Sequence, residues 1–210
     1  MKVTNLTTSP KSFQDLRGKL IEATEDELVI CQFTSAAIFI GKTADESKVV
    51  HLDYCDVAKL PIIRTQSPHS SSGYHDANQF RTLGVITKAS NFPFLTRPWS
   101  RGPTTAQGGR VLAGIMESAL DAVGIKAKCR GNDILLDDKK IGHFGAPKYP
   151  DVIMLSAHIL LDWDIAKAEQ AIISPKHDMR EYVRGLKELG YDISFDQMRD
   201  AFVTEWEKVF

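Results

Sequence analysis

Residues 61–80 read PIIRTQSPHSSSGYHDANQF. A short apolar run ends at Arg64, a small-residue loop fills 67–73, and Tyr74-His75-Asp76-Ala77-Asn78 follows. No other part of the chain packs so many hydrogen-bonding side chains into so few positions. Residues of these types hug a ligand or a turn and do not fill a core, so the stretch reads as the rim of a small-molecule site. Ser70, Ser71, Ser72 and Gly73 offer hydroxyls and successive backbone N–H groups, and such nests bind anions. Only Gly73 escapes the Cβ penalty at positive φ. An ordinary Ser/Gly surface loop explains the same cluster. His75, Asp76 and Asn78 can orient ligand groups or serve in acid–base work. They can equally cap a turn, because Asp and Asn side chains bond their own backbone. A metal site from His69, His75 and Asp76 is poorly spaced. A Ser72/His75/Asp76 triad is disfavoured because triad members normally converge from distant segments.

A second set of candidates lies downstream. Lys140 sits in Asp137-Asp138-Lys139-Lys140-Ile141-Gly142. On a strand Lys139 and Lys140 face opposite ways, so one points into a cleft if both faces are packed. A cleft lysine is a point charge for a phosphate or a developing oxyanion; the plain alternative is a solvated pair. Asn132-Asp133 reads as a hairpin turn or as an amide and a carboxylate facing a ligand. Cys31, Cys55 and Cys129 show no CxxC or Cys/His ligand spacing and no visible activator, which suits free thiols in a reducing cytosol. His158, inside an apolar run, reads as a satisfied core histidine.

The elements that must hold these groups follow from the rest of the chain. Its 210 residues suit one large domain, or a domain with a small appendage, that buries its core without staples. A formal net charge of −1 supplies no field to steer the chain to nucleic acid or an anionic membrane. The N-terminal stretch lacks the apolar region of a signal peptide. No apolar run approaches the roughly 18–20 residues that span a bilayer. A cytoplasmic protein is therefore expected, with neither nucleic acid nor membrane as partner. Residues 1–20 are polar, with room for a short helix from Ser12. Strands are expected at 28–33, 36–40, 62–63, 83–87, 125–129, 134–136 and 139–141, with Asp137-Asp138 turning a hairpin. The apolar run at 152–161 reads as a central strand buried on both faces. Helical spacing marks 45–60 loosely and 110–123 clearly, the latter ended by Gly124. Residues 91–109, with Pro93, Pro98, Pro103, Gly102, Gly108 and Gly109, read as a long loop. Residues 162–210 read as helical, with Pro175 in the first turn of one helix and a Ser194-x-x-Gln197 capping box before another. The order predicts an α+β fold with a mixed, largely antiparallel sheet flanked by helices, and a weak boundary near Pro175.

In order and spacing these segments resemble the lipoate–protein ligase A family of the biotin/lipoate ligase and octanoyltransferase superfamily. That family carries an arginine pair, a Gly-rich loop, an aromatic-His-Asp and a following Gly-Asn. Here stand Arg64, the serine loop, Tyr74-His75-Asp76 and Ala77-Asn78. Its Gly-Arg-Asn-Asp is matched by Arg130-Gly131-Asn132-Asp133, and its lysine element by Lys140-Ile141-Gly142. Ile40-Gly41-Lys42 and Leu160-Leu161-Asp162-Trp163-Asp164 extend the likeness, which covers roughly residues 28–175.

The resemblance implies a class II biotin/lipoate ligase-like fold, with a catalytic domain at 1–175 and C-terminal helices at 176–210 packed on it. Family members bind lipoate and ATP, form lipoyl-AMP and pass the acyl group to a carrier-domain lysine. Lys140 then matches the lysine at the acyl-adenylate carbonyl and phosphate. Arg64, Ser70, Ser71, Ser72, Gly73, His75, Asp76, Asn78, Asn132 and Asp133 match substrate and nucleotide positions. Asp133 would be a Mg2+ ligand by its hard oxygen. The implied partner is a lipoyl-carrier domain protein. Some ligases receive their accessory domain as a second chain, which implies a separate accessory subunit here. The chain also departs from the pattern. Thr65-Gln66 falls where the arginine pair stands, serines replace the glycines, and Leu155-Ser156-Ala157 replaces a His-His-Gly. His143-Phe144-Gly145 replaces a Gly-Ser-Ala. Two alternatives follow: a non-catalytic homologue that binds an acyl ligand or carrier domain, and an octanoyl or lipoyl transferase. The segment where one transferase subgroup places its nucleophile, Pro147-Lys148-Tyr149, holds no cysteine.

Overall fold

Every residue of the strand Gln79–Thr87 is buried. A strand with no solvent face needs a layer on each side, and the chain supplies both. The computed structural model describes residues 2–65, 72–87, 105–173 and 178–210. In order these form β1 (Lys2–Thr8), α1 (Pro10–Leu20), β2 (Glu27–Phe33), β3 (Ala37–Ile40), α2 (Glu46–Val49), α3 (Leu52–Val57), β4 (Ile62–Arg64), β5 (Ser72–His75) and β6 (Gln79–Thr87). There follow α4 (Thr105–Ala122), β7 (Lys128–Arg130), β8 (Asp133–Leu136), β9 (Lys139–Gly145), β10 (Val152–Leu160), α5 (Ile165–Ala171), α6 (Met179–Tyr182) and α7 (Phe195–Glu207).

A seven-stranded sheet has the order β1-β2-β6-β10-β9-β8-β7, and a three-stranded sheet has the order β4-β3-β5. The β1–β2 and β3–β4 pairs are parallel and the others antiparallel, so the fold is the expected α+β with a mixed, largely antiparallel sheet. The run expected as a central strand is β10, fourth of the seven. One face of the large sheet packs against α4 and α7 through Phe80, Leu112, Met116, Ile159, Phe202 and Trp206. The opposite face meets α1 and the small sheet through Phe13, Phe33 and Phe39, whose rings contact one another. The β8–β9 hairpin turns on Asp137 and Asp138 at φ 48° and 61°, the left-handed pair that a tight two-residue hairpin loop uses. Ser194 and Gln197 form the expected capping box at the start of α7.

Several elements differ from the sequence expectation, each for a physical reason. The polar N-terminus contains β1, which pairs in parallel with β2 at the edge of the sheet. An edge strand is held by main-chain bonds and needs no apolar run. β6 begins at Gln79, not at residue 83, because Gln79, Arg81 and Thr82 are buried polar residues that interrupt the apolar signal. α4 begins at Thr105, so Gly108 and Gly109 are helical rather than part of a loop. Gly108 belongs there because a Cβ would lie 3.1 Å from Ala146 and 3.2 Å from Leu155; its absence lets the helix approach the sheet. Residues 45–60 form two short helices, split where Val50 bridges Ile172 and His51 N–H donates to Ala171. Between α6 and α7 the chain leaves the helical state, and Leu186 N–H donates to Leu160 O. Residues 91–104 of the loop expected at 91–109, and the helix start at Pro175, lie outside the described residues. Among the described residues no helix is long and apolar enough to cross a membrane.

Gly84 on β6 faces Trp206, which is fully buried on α7. A Cβ at position 84 would sit 2.2 Å from the indole. Gly84→Ala should therefore lower stability by about 1–3 kcal/mol through overpacking. Urea unfolding followed by circular dichroism measures this, and Trp206→Phe in the same chain should recover part of the loss.

Candidate functional site

Strand register assembles the site. In β6–β10 pairing Arg81 lies opposite His158; in β10–β9 pairing His158 lies opposite His143; in β9–β8 pairing His143 lies opposite Asp133. Directly opposed residues share a sheet face, so Arg81, His158, His143 and Asp133 form one row across four strands. Cys31 on β2 continues the row beyond Arg81. The row faces the small sheet, away from the α4/α7 core. From β5 of that sheet His75 meets it, with its ring 5.2 Å from that of His158 and nearly perpendicular.

Asp133 closes one end of the row. Its Oδ1 accepts from Lys140 Nζ at 2.6 Å and lies 3.2 Å from His143 Nδ1, while its Oδ2 accepts from the Tyr182 hydroxyl at 2.8 Å. Burial pushes the Asp133 carboxyl up. The hydrogen bonds from His143 and Lys140, the lysine charge and the tyrosine hydroxyl outweigh that and hold it well below the usual carboxylate range. Lys140 is thus a partly buried cation aimed across the sheet face. The C-terminal segment fixes it there: Arg184 N–H donates to Lys140 O, and Lys139 Nζ donates to Glu181 O at 2.6 Å. The two lysines do diverge, as alternation on a strand requires.

Arg81 closes the other end. It is 6% exposed and its guanidinium lies 4.5 Å over the Phe33 ring. Its Nη2 reaches both Gln79 Oε1 and His75 Nδ1, the latter at 2.9 Å. His75 Nδ1 also lies 3.0 Å from Gln79 Oε1, so Arg81, Gln79 and His75 share one polar contact. Burial, and then the Arg81 charge, hold His75 and His158 well below the ordinary imidazole range. Both are neutral at physiological pH. Burial also lowers Arg81 to about 10, which still leaves it charged.

Other residues singled out in the sequence have different places. Ser70 and Ser71 lie outside the described residues. Ser72 opens β5 and donates to Val49 O at 2.9 Å. Gly73 is in extended backbone paired with Phe39, without positive φ; a Cβ there would lie 3.0 Å from Nε2 of His75, so the glycine makes room for the imidazole. Arg64 Nη1 donates to the carbonyls of Gly41, Lys42 and Ala44 at 2.9–3.2 Å and so holds the turn after β3. Asp76 accepts from the backbone N–H of Asn78 at 3.0 Å and of Asp164 at 3.5 Å. Asn78 O accepts from Leu161 and Asp162 N–H groups. Asp76 and Asn78 therefore take the turn role left open in the sequence, and tie β5 to the start of α5. Asn132 sits in the turn before β8, its carbonyl accepting from Phe144 N–H. Of the matched residues, His75, Asp133 and Lys140 meet the row.

Both Asp133 oxygens are already committed to protein donors. Among the described residues no group of three or more His, Cys, Asp or Glu could hold a metal. Mg2+ needs only one or two carboxylates beside substrate phosphates; Asp133 is the residue that would supply one, and no step is derived through the ion. Burial disfavours the thiolate at all three cysteines. Burial pushes Cys31 up to about 12, and burial followed by Glu117 does the same to Cys129; burial also raises Cys55.

Arg81, Gln79, His143 and Tyr182 were not singled out in the sequence as functional, and His158 read as core. The lone polar residues inside the strand runs 79–87 and 139–145 were the available signal; their alignment needed the register.

The geometry defines a mixed-sheet domain with a cation-lined face between two sheets, the fold of lipoate and biotin ligases. The model of the lipoyl protein ligase A/B catalytic domain matches residues 10–207, and the chain belongs to that family. Among solved structures it is similar to lipoate-protein ligase A bound with ATP, at 17% identity and TM-score 0.80, over 99% of this chain and 84% of the other. It is also similar to the bi-partite lipoate protein ligase of Thermoplasma acidophilum, described with its E2 lipoyl domain, at 16% identity and TM-score 0.79, over 99% and 82%. A third is the T. acidophilum protein Ta0514 with bound lipoic acid, at 16% identity and TM-score 0.78, over 99% and 85%. No curated protein sequence matches the chain.

The two neutral histidines set a pH dependence. Unfolded imidazoles take up protons below about 6.5, while the folded ones resist, so acid favours the unfolded chain. Stability should fall as the pH drops from about 6.5, by up to about 1.4 kcal/mol per pH unit for each histidine. Urea titrations between pH 7.5 and 5 test this, and His158→Gln should flatten the slope.

Proposed function

We propose that this chain is a lipoate–protein ligase-like enzyme of the cytoplasm. The carboxylate of lipoate or a similar short acyl acid attacks the α-phosphorus of ATP, pyrophosphate leaves, and acyl-AMP forms. The amine of a carrier-domain lysine then attacks the acyl carbonyl, AMP leaves, and an amide results. Lys140 supports this reading most directly. Asp133 and the Tyr182 segment hold it as a fixed cation on the sheet face, where it can stabilise charge developing on the carbonyl and phosphate oxygens. The family match across 10–207 supports the same assignment. Arg64, Ser70, Ser71, Ser72, Gly73, His75, Asp76, Asn78, Asn132 and Asp133 are proposed to bind substrate and nucleotide, directly or by shaping the loops that do. A lipoyl-carrier domain is the proposed partner, and a separate accessory chain is proposed by analogy with the bi-partite archaeal ligase.

A non-catalytic homologue that binds an acyl ligand or carrier domain is the second reading. Its support is Arg64, whose guanidinium is committed to loop carbonyls. A cysteine transferase has less support, since the thiols are held neutral.

Incubation with ATP, Mg2+, lipoate and a lipoyl domain, followed by mass spectrometry, should show lipoyl-AMP and an acylated domain. Lys140→Ala should lower the rate roughly a hundred- to a thousandfold with the fold intact by circular dichroism. If neither product forms, even with an accessory chain added, the ligase reading fails. Calorimetry separates the second reading: tight, Mg2+-dependent ATP binding lost in Lys140→Ala speaks against a non-catalytic protein.

A further inference from the structure

The two ends of the polar row are not equivalent. Lys140 has a counter-ion in Asp133, 2.6 Å away. Arg81 is more deeply buried, yet among the described residues it makes no ion pair with a carboxylate. The side chains it contacts through Nη2, Gln79 and His75, are uncharged. Its cross-strand neighbour Cys31 is a neutral thiol. Asp76 feels the arginine charge, but its carboxylate oxygens accept from the backbone N–H groups of Asn78 and Asp164. Phe13 and Phe33 wall the guanidinium on one side. Burying a cation without a counter-ion is costly, and such a group is retained where an anion arrives to pair with it. The free N–H donors of a guanidinium match a carboxylate in a two-point fork.

Arg81 and the Lys140 end of the row, at Asp133, are separated by three strand spacings, roughly 14 Å across the sheet. His158 and His143 lie between them. A polar floor of this kind suits a chain bearing charge at both ends better than one with an apolar tail. Resting on the acyl-activation reading above, we propose that the acid taken by this site is an α,ω-dicarboxylic acid. One carboxylate is activated beside Lys140, and the other is held by the guanidinium of Arg81.

The test uses the full chain and calorimetry with hexanedioate, octanedioate and decanedioate against octanoate and lipoate. At least one dicarboxylate should bind about tenfold or more tightly than octanoate, as expected when a buried polar group is left without its partner by the analogue. Arg81→Met should abolish that preference, and Arg81→Lys should restore part of it. Octanoate or lipoate binding as tightly as every dicarboxylate overturns the proposal, as does a preference that survives Arg81→Met. If Arg81→Met fails to fold, the ligand series on the native chain decides alone. Acyl-AMP assays separate the two readings. Adenylate formed with lipoate but with no dicarboxylate sinks the present proposal and leaves the ligase reading standing. Arg81-dependent dicarboxylate binding with no adenylate from any acid does the reverse.

Discussion

Pairing of β6 with β10 is the constraint on which the rest depends. The two strands run antiparallel over nine residue pairs, from Gln79 with Leu160 to Thr87 with Val152. Both are enclosed, so their alternating side chains serve two different layers. One set, with Phe80 and Ile159, faces the helices. The other, with Arg81 and His158, faces the small sheet. A slip of one residue would drive the arginine into the helix core and send phenylalanine into the site. The register is therefore enforced twice, by apolar packing on one side and by polar contacts on the other.

Charge follows from that geometry. The row carries two cationic ends, a carboxylate shared among three donors, and two imidazoles between, of which burial keeps His158 neutral. Lys140 and Asp133 come from adjacent strands of one hairpin, and Tyr182 comes from the C-terminal segment. The chain after α5 thus contributes to the chemistry of the hairpin, while α7 contributes Met198, Phe202 and Trp206 to the main core. Holding the carboxylate ionised keeps the lysine in place without any need for a deeper pocket.

The fold class, the central strand, the β8–β9 hairpin and the cap of α7 were legible in the sequence because each rests on local signals: apolar runs, turn residues and a spaced Ser/Gln pair. β1 was not legible, since an edge strand takes its stability from a neighbour's main chain. The beginnings of β6 and α4 were misplaced because buried polar residues and packing glycines look like loop signals until their contacts are known. In the site, Lys140, Asp133 and His75 were readable from motif order. Arg81 and His143 were not, because isolated polar residues in strands gain meaning only from cross-strand partners 10 or more residues away in the chain. Arg64 was readable as chemistry yet serves the turn after β3, a role set by carbonyls that no sequence pattern marks.

The fit between Gly73 and His75 reaches beyond this one molecule. The two lie on the same side of a short strand, and the space left by the missing side chain is the space the imidazole fills. Neither position is then free to drift alone. A descendant that gains a side chain at 73 must let the ring at 75 shift, and with it the contacts to Arg81 and His158. The path of sequence change through β5 is narrowed to paired steps, so the strand should diverge more slowly than its exposed neighbours even where it contributes little to the core.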